Sequence, residues 1–360
     1  MDRHADSDSR ASSTLYVLEL AGQDDAFAAL EARSAAEDVS LLGPGLATAS
    51  ALSERVPTLA LTHRASELVG TGAATAADAR AILETESIDR TGSVAVRAVD
   101  VRGSTAVDTQ AVERSLGELL VERGLSVDLD TPDHELRVLF ADSAGDADGD
   151  TAGSVCAVGW LSIETVRDFG DRQPTDRPFF QPGSMDPIEA RTLANVAGAR
   201  PGGTILDPFC GTGGMVLESA LLGARVLGGD VQAKMVRGSR RNLSHGVDGP
   251  GRPDDDRYPA PGRWDLYRGD AAQLPVAADG VTAVCFDAPY GRQSPISGDL
   301  EELIAATLAE SARVADRAVV VADRSWDAIA RAAGWTVTAH FERRVHRSLT
   351  RHVHVLSGAE

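Results

Sequence analysis

From Thr14 the chain breaks into short apolar runs separated by polar turns. TLYVLELAG reads as a strand, and 24-DDAFAALEARSA-35 places apolar residues at helical spacing. The run 58-TLALTH-63 reads as a second strand and 75-TAADARAILE-84 as a helix, so the chain opens on a small α+β unit. Strict alternation over 93-SVAVRAVDVRG-103 predicts a strand, and 109-TQAVERSLGELLVERG-124 an amphipathic helix that Gly124 ends. Residues 126–141 read as two strands turning at Pro132, and 155-VCAVGWLSI-163 as a closing strand. The polar residues 1–13 predict a disordered tail, and the acidic 142-DSAGDADGD-150 a solvated loop.

Two prolines and several charges mark residues 166–180 as a linker. Helix 188-IEARTLANVAG-198 then opens a region in which strands (TILDPF, ARVLGGD, WDLYRGD, GVTAVCFDAP, AVVVAD) alternate with helices. That alternation predicts a doubly wound, mostly parallel sheet with helices on both faces. The Gly-, Pro- and Asp-rich stretch 246–263 reads as a flexible surface insertion. The expected division is 1–13, 14–60, 61–165, 166–180 and 181–360, within the two or three domains that 360 residues allow.

Composition narrows the class. No window approaches the roughly 18 apolar residues of a membrane span, and MDRHADSDSR lacks an apolar signal core, so a cytoplasmic protein is expected. Cys156, Cys210 and Cys285 are far apart, with no CxxC pair, which favours neither disulfides nor a zinc site. His352 and His354 share a strand face but are read as solvated or RNA-facing, and no metal is assigned.

The net charge is −19, and Lys234 is the sole lysine beside 34 arginines. Such a surface suits molar salt, where net charge maintains solubility and the Debye length shrinks to about 3 Å. Residues 1–180 carry 15 basic and 32 acidic side chains, residues 181–360 carry 20 and 22, so the second half is the better candidate for touching a polyanion. Its basic groups gather in 343-RRVHRSLTRHVH-354, where Arg343, Arg344, Arg347 and Arg351 form the expected RNA-binding patch.

The candidate chemistry sits at strand ends. TILDPF runs into 207-DPFCGTGG-214 and a helix, a place where glycines let backbone amides approach a ligand. Val216 stands where a dinucleotide fingerprint needs glycine, which weakens a nicotinamide reading. Acids follow at the ends of the next strands, Asp230 and then Asp270. Each alone could be a helix N-cap; three at successive strand ends suit a shared nucleoside ligand without pyrophosphate, such as S-adenosylmethionine.

The segment 287-DAPY-290 resembles the (D/N)PPY signature of methyltransferases that act on exocyclic amines of nucleobases. In that reading Asp287 and a backbone carbonyl hold the amine, and Tyr290 stacks on the base for roughly 1–3 kcal/mol. Ala288 departs from the signature, which usually has proline there.

Wider stretches carry two further resemblances. VRAVDVRG, VERSLGELLVERG and VDLDTPDHELRVLF are similar to the THUMP domain, an RNA-binding module of tRNA-modifying proteins. The sequence 177-RPFFQPGSMDPIEARTLANVA-197, with DPFCGTGG and DAPYG, resembles archaeal tRNA (guanine-10) N2-dimethyltransferases, over roughly Leu15 to Ser357. The resemblance implies a class I Rossmann-like methyltransferase domain with an antiparallel C-terminal strand, preceded by an α+β ferredoxin-like/THUMP region that grips tRNA. It places Ser184, Met185 and Pro187 beside the methionine part of the methyl donor, Asp207, Gly211 and Gly213 along its centre, Asp230 at its ribose, and Asp270 with Ala271 at its adenine. Asp287, Pro289 and Tyr290 would hold the target guanine. A monomer acting on tRNA is expected; another tRNA guanine, a DNA amino-methyltransferase and a non-catalytic THUMP protein stay open as alternatives.

Overall fold

The computed structural model describes residues 14–142, 153–290, 300–346 and 349–358; the expected tail, most of the acidic loop and Arg347 lie outside them. The chain divides into two units, Met1–Val56 with Thr62–Glu164, and Pro57–Leu61 with Thr165–Glu360.

In the first unit the order is β1 (Tyr16–Leu20), α1 (Asp25–Ala32), β2 (Ala36–Glu37), β3 (Ser40–Gly43), β4 (Leu46–Ala49) and β5 (Ala51–Leu52). Then come β6 (Thr62–Gly72), α2 (Ala76–Thr85), β7 (Ser93–Asp100), α3 (Thr109–Glu122), β8 (Ser126–Val127), β9 (His134–Ala141) and β10 (Val155–Glu164). One eight-stranded sheet runs β3-β4-β1-β6-β10-β9-β7-β8. The alternation of β7 turns Val94 and Val96 inward, where Leu83 of α2 and Leu116 and Leu120 of α3 cover them with Leu136, Val138 and Phe140. Side-chain caps start both helices: Thr75 accepts from the Asp78 amide and Asp108 from the Ala111 amide.

Three expectations change here. The regions 14–60 and 61–165 share this one sheet, because β1 pairs antiparallel with β6 from Tyr16 to Leu20. The expected strand at 58–63 forms only at its last two residues: a 3₁₀ turn spans Val56–Thr58 and β6 begins at Thr62. The apolar run at Leu59 and Ala60 is buried as part of the second unit, where the Pro57 carbonyl accepts from Val166 N at 2.8 Å. The supposed linker is likewise built into the second unit, through 3₁₀ turns at Asp168–Arg172 and Pro174–Asp176 that bury Phe169, Arg172 and Arg177.

The second unit continues with α4 (Pro187–Ala197), β11 (Thr204–Asp207), α5 (Gly214–Leu221), β12 (Arg225–Asp230), α6 (Ala233–Gly246) and β13 (Trp264–Arg268). It ends with β14 (Ala283–Asp287), α7 (Leu300–Val314), β15 (Arg317–Ala322), α8 (Asp327–Ala332), β16 (Trp335–His346) and β17 (Leu349–Gly358). The seven-stranded sheet runs β13-β12-β11-β14-β15-β17-β16; β17 pairs antiparallel with β15 and β16, and the other six strands all run parallel to one another. Strand order reverses between β11 and β14, so the crevice beyond their carboxyl ends is where such sheets bind ligands. Near-continuous apolar strands fill the core, with Leu206, Val284, Phe286 and Val320 packed against Ile304 and Leu308 of α7 and Trp326 before α8.

The stretch 246–263 is no free insertion. Tyr258 reaches inward and donates to Asp168 at 2.9 Å, while Arg172 and Arg191 donate to its hydroxyl at 3.2 and 3.3 Å. Those arginines also hold Glu218 of α5, which is 0% exposed: Arg172 Nε lies 2.7 Å from Oε1 and Arg191 Nη2 2.7 Å from Oε2. Among the described residues no helix is long and apolar enough to cross a membrane.

Candidate active site

β11 ends at Asp207 and the chain turns through the glycine loop into α5. Gly211 and Gly213 both have positive φ, 52° and 83°. A Cβ at Gly213 would stand 2.3 Å from Ser239 Oγ, so the loop can lie on α6 only with glycine there. At Gly211 a Cβ would meet nothing nearer than the Phe209 carbonyl at 3.8 Å, so a side chain there would project into the open crevice.

The acids of this edge are held by backbone amides. Asp207 accepts from Phe209 N at 3.0 Å; burial pushes its carboxyl well above the usual range, with Asp230 and Asp287 nearby adding to the rise. Asp230, at the end of β12, accepts from Gly211 N at 3.2 Å and Gln232 N at 2.7 Å; burial raises its pKa and these amides oppose the rise. Asp270 follows β13 in an exposed turn, where it accepts from Ala272 N beside the buried Ala271. Gly269 N bonds the Asp230 carbonyl at 3.2 Å, which ties this turn to β12.

Residues before α4 reach the same loop. Ser184 Oγ donates to the Gln181 carbonyl and lies 3.0 Å from Thr212 Oγ1, between Gly211 and Gly213. Met185 is buried, and Pro187 opens α4, a position where its missing N–H is not needed. Asp186 caps that helix through Ile188 N.

At the end of β14, Tyr290 Oη donates to Asp287 Oδ1 at 2.6 Å. The aromatic residue expected to stack on a base thus holds its partner acid in this structure. Burial raises the Asp287 pKa to about 7, against the lowering effects of Arg351 and the Tyr290 hydrogen bond; Glu189 and Asp323 add to the rise. The Tyr290 phenol is pushed up by burial and by Asp287. Ala288 has a use that its family counterpart could not serve: its N–H donates to the Val321 carbonyl at 2.8 Å, a bond proline cannot make.

Arg351 does not belong to a solvent-facing basic patch. It is 7% exposed, its Nη1 contacts Glu189 of α4, its Nε reaches Tyr290 Oη at 3.4 Å, and its Nη2 lies 3.9 Å from Asp287 Oδ2. Of its expected companions, Arg343 is half-buried opposite it on β16, Arg344 is exposed, and Arg347 is outside the described residues. Glu189 and Thr212 were not expected at the site. A signal for Arg351 existed: strand alternation places it with Val353 and Val355 on one face, and a core-facing arginine requires partners.

Nor are the histidines a solvated pair. His354 is buried, its Nε2 accepts from Trp326 N at 3.1 Å, and burial lowers its pKa to about 4. His340 stacks on His354 and shares a 3.0 Å N···N contact with His352. Donor atoms of Asp327, His340 and His354, and those of His340, Glu342 and His352, fall within 4.8 Å of one another, close enough to share an ion. In the first set the His354 lone pair already serves the Trp326 amide.

A doubly wound sheet with a glycine loop after its first strand and an acid ending its fourth has the layout of a methyltransferase domain, and the family described as RMKL-like, methyltransferase domain (UPF0020), matches residues 174–353. A tRNA (guanine(10)-N2)-dimethyltransferase of Methanothermobacter thermautotrophicus is 32% identical over 311 residues, 83% of each chain. One of Pyrococcus abyssi is 29% identical over 274 residues, 74% of each. The crystal structure of TrmN from Thermus thermophilus is similar at TM-score 0.48 and 22% identity, covering 96% of this chain and 100% of that one. The chain belongs to the tRNA (guanine(10)-N2)-dimethyltransferase family.

Proposed function

We propose that this protein transfers methyl groups from S-adenosylmethionine to the exocyclic N2 of a guanine in tRNA, with guanine 10 as the target base. One observation carries the reading. The carboxylate of Asp287, with Tyr290 beside it, stands at the switch point of the sheet, next to a crevice lined by Asp207, Asp230 and an open glycine loop.

The crevice suits the methyl donor. Gly211 leaves open the space that any side chain would fill, and Asp207 and Asp230 bring acceptors to its floor. Asp230 would meet the ribose, Asp270 and Ala271 the adenine, Asp207 and Gly213 the centre, and Ser184, Met185 and Pro187 the methionine part. When bound, S-adenosylmethionine supplies a methyl group on a positively charged sulfur.

The chain's own work is to position the amine. A guanine amine is a poor nucleophile because its lone pair is delocalised into the ring. Asp287 would accept one N2–H, and the carbonyl of residue 288 or 289 the other, aiming the lone pair at the methyl group. As the N–C bond forms and the S–C bond breaks, leaving the sulfur as a neutral thioether, the nitrogen would lose a proton, and a carboxylate titrating near 7 is matched to receive it. Tyr290 would leave Asp287 and stack on the base. A guanine inside a stem must be flipped out to arrive there, at a cost of a few kcal/mol.

The first unit, with the THUMP-like run 61–165, is assigned the gripping of tRNA, and Arg343, Arg344 and Arg347 a share in RNA contact. The acidic, lysine-poor surface fits a cytoplasm of molar salt, where counterion release adds little to binding. The test is nucleoside mass spectrometry on an unmodified tRNA transcript, and on the same transcript with adenine at position 10, in concentrated potassium chloride. N2-methylguanosine or N2,N2-dimethylguanosine from the first alone is expected. Equal product from both moves the target to another guanine; methyladenine or methylcytosine in a duplex DNA control, without tRNA product, overturns the substrate class.

A further inference from the structure

The surroundings of Asp287 come from several elements. Tyr290 follows it in the chain, Arg351 faces it from β17, Glu189 from α4 and Asp323 from the end of β15, and Asp207 lies close enough on β11 to feel its charge. Among the described residues Arg351 is the one cation acting on it. A lone arginine beside a buried carboxylate would ordinarily close a two-pronged hydrogen-bonded pair. Here Nη1 is taken by Glu189, Nε leans on Tyr290 Oη, and Nη2 stops 3.9 Å from Oδ2, beyond hydrogen-bond reach. Among the described residues Oδ1 accepts from Tyr290 and no hydrogen bond is made to Oδ2.

We propose that Glu189 and Arg351 are a positioning pair for the reaction: Glu189 holds the guanidinium back from Asp287, so that its charge keeps the carboxylate ionised while Oδ2 stays open to the amine of the target base. This inference rests on the methyltransferase reading of Asp287. It gives Arg351 a task other than phosphate contact and lets α4, through Glu189, act on the acceptor by way of Arg351.

The two members act with opposite sign. Asp287 works ionised, so its titration sets the acidic limb of the pH profile, which falls as pH drops through about 7. Removing Arg351 takes away a favourable charge, and the limb moves to higher pH. Removing the Glu189 charge frees the guanidinium and ends a repulsion, and the limb moves to lower pH. A charge within about 4–6 Å changes a carboxyl pKa by about 1–3 units, so a shift of one unit is the working expectation.

The experiment measures kcat/KM against pH for wild type, Arg351→Gln, Arg351→Lys and Glu189→Gln, with an unmodified tRNA transcript and labelled S-adenosylmethionine. In parallel, the Asp287 carboxyl is titrated by ¹³C NMR, assigned through Asp287→Asn. The expected result is a limb about one unit higher for Arg351→Gln, hence about tenfold less activity well below it. Arg351→Lys should return most of the shift, and Glu189→Gln should move the limb down, with the carboxyl titration following in each case. Limbs that stay in place while plateaus fall, or that move the same way in both neutral variants, overturn the pairing. A salt-dependent rise in KM without a limb shift returns Arg351 to RNA contact and overturns it too. If wild type makes no N2-methylguanosine, the functional reading fails; the NMR titration still decides, independently, whether the two charges tune Asp287 with opposite sign.

Discussion

Glu218 and Asp287 are both carboxylates set in the interior of the second unit with arginine nearby, yet burial leaves them in opposite states. Glu218 has two guanidinium groups at 2.7 Å, which overcome the penalty of burial and hold its pKa below the usual range. Asp287 keeps 24% of its side-chain exposure and, among the described residues, has one guanidinium at 3.9 Å, itself engaged by Glu189, so burial wins and the pKa rises to about 7. The first carboxylate has its partners within the fold. The second is left short of partners, and under the proposed function that shortfall is what fits it to receive a substrate amine.

Substitutions test this contrast. Asp287→Asn should lower methyl transfer by about 10²–10⁴-fold, the range for loss of a positioned proton acceptor, with donor affinity by calorimetry unchanged. The same variant should gain thermal stability relative to wild type as pH rises. A carboxyl whose folded pKa is raised favours folding fully below its unfolded value near 3.8 and loses that contribution as pH passes about 7. An unchanged difference in melting temperature between pH 5 and pH 8 would remove the claim that burial raises this group.

Glu218→Gln should act on the fold instead. Removing one partner from a buried ion cluster costs about 3–5 kcal/mol, or roughly 10 °C in the melting temperature of a unit this size. Its pH dependence runs the other way: the folded pKa is lowered, so wild-type stability is complete above the unfolded value of about 4.5 and is lost as pH falls through the folded one. Equal melting curves for the two proteins would mean that the triad is not holding α4, α5 and the 168–172 turn.

Smaller effects sharpen the edges of the comparison. Tyr258→Phe removes the hydroxyl shared by Asp168, Arg172 and Arg191 and should cost about 1–3 kcal/mol, read by urea unfolding. Ala288→Pro restores the usual signature but deletes the bond to the Val321 carbonyl. A lost hydrogen bond of about 0.5–1.5 kcal/mol against a gain of about 0.4–1 kcal/mol in chain stiffness leaves the stability within about 1 kcal/mol of wild type. A larger loss would show that this strand-end turn depends on that amide.

The regular elements were legible because their signals are local. Alternation in 93–100, the 3.6-residue spacing of 109–122 and the strand–helix alternation after residue 187 each name an element and its inward face. The acids at the ends of β11, β12 and β14 were legible for the same reason, since a strand end can be read from where an apolar run meets a charge. The strand expected at 58–63 failed before Thr62 because an apolar run says only that a segment is buried; Leu59 and Ala60 are buried as turn, in the unit that starts again a hundred residues later. The linker at 166–180 and the insertion at 246–263 failed because Arg172 and Tyr258 look like surface residues until their partners are known.

By itself, then, the sequence determined the parallel sheet, its glycine loop and the acids along one edge, all of them properties of short windows. Only the tertiary structure decided that Arg351 is buried beside Asp287, with Nη1 on Glu189 and Nη2 3.9 Å from Asp287 Oδ2. It also decided that Glu218 is fully paired while Asp287 is not. Those facts depend on contacts between residues 27 to 162 positions apart, and the strength of a charge in a protein is set by distance and burial, which chain position does not encode.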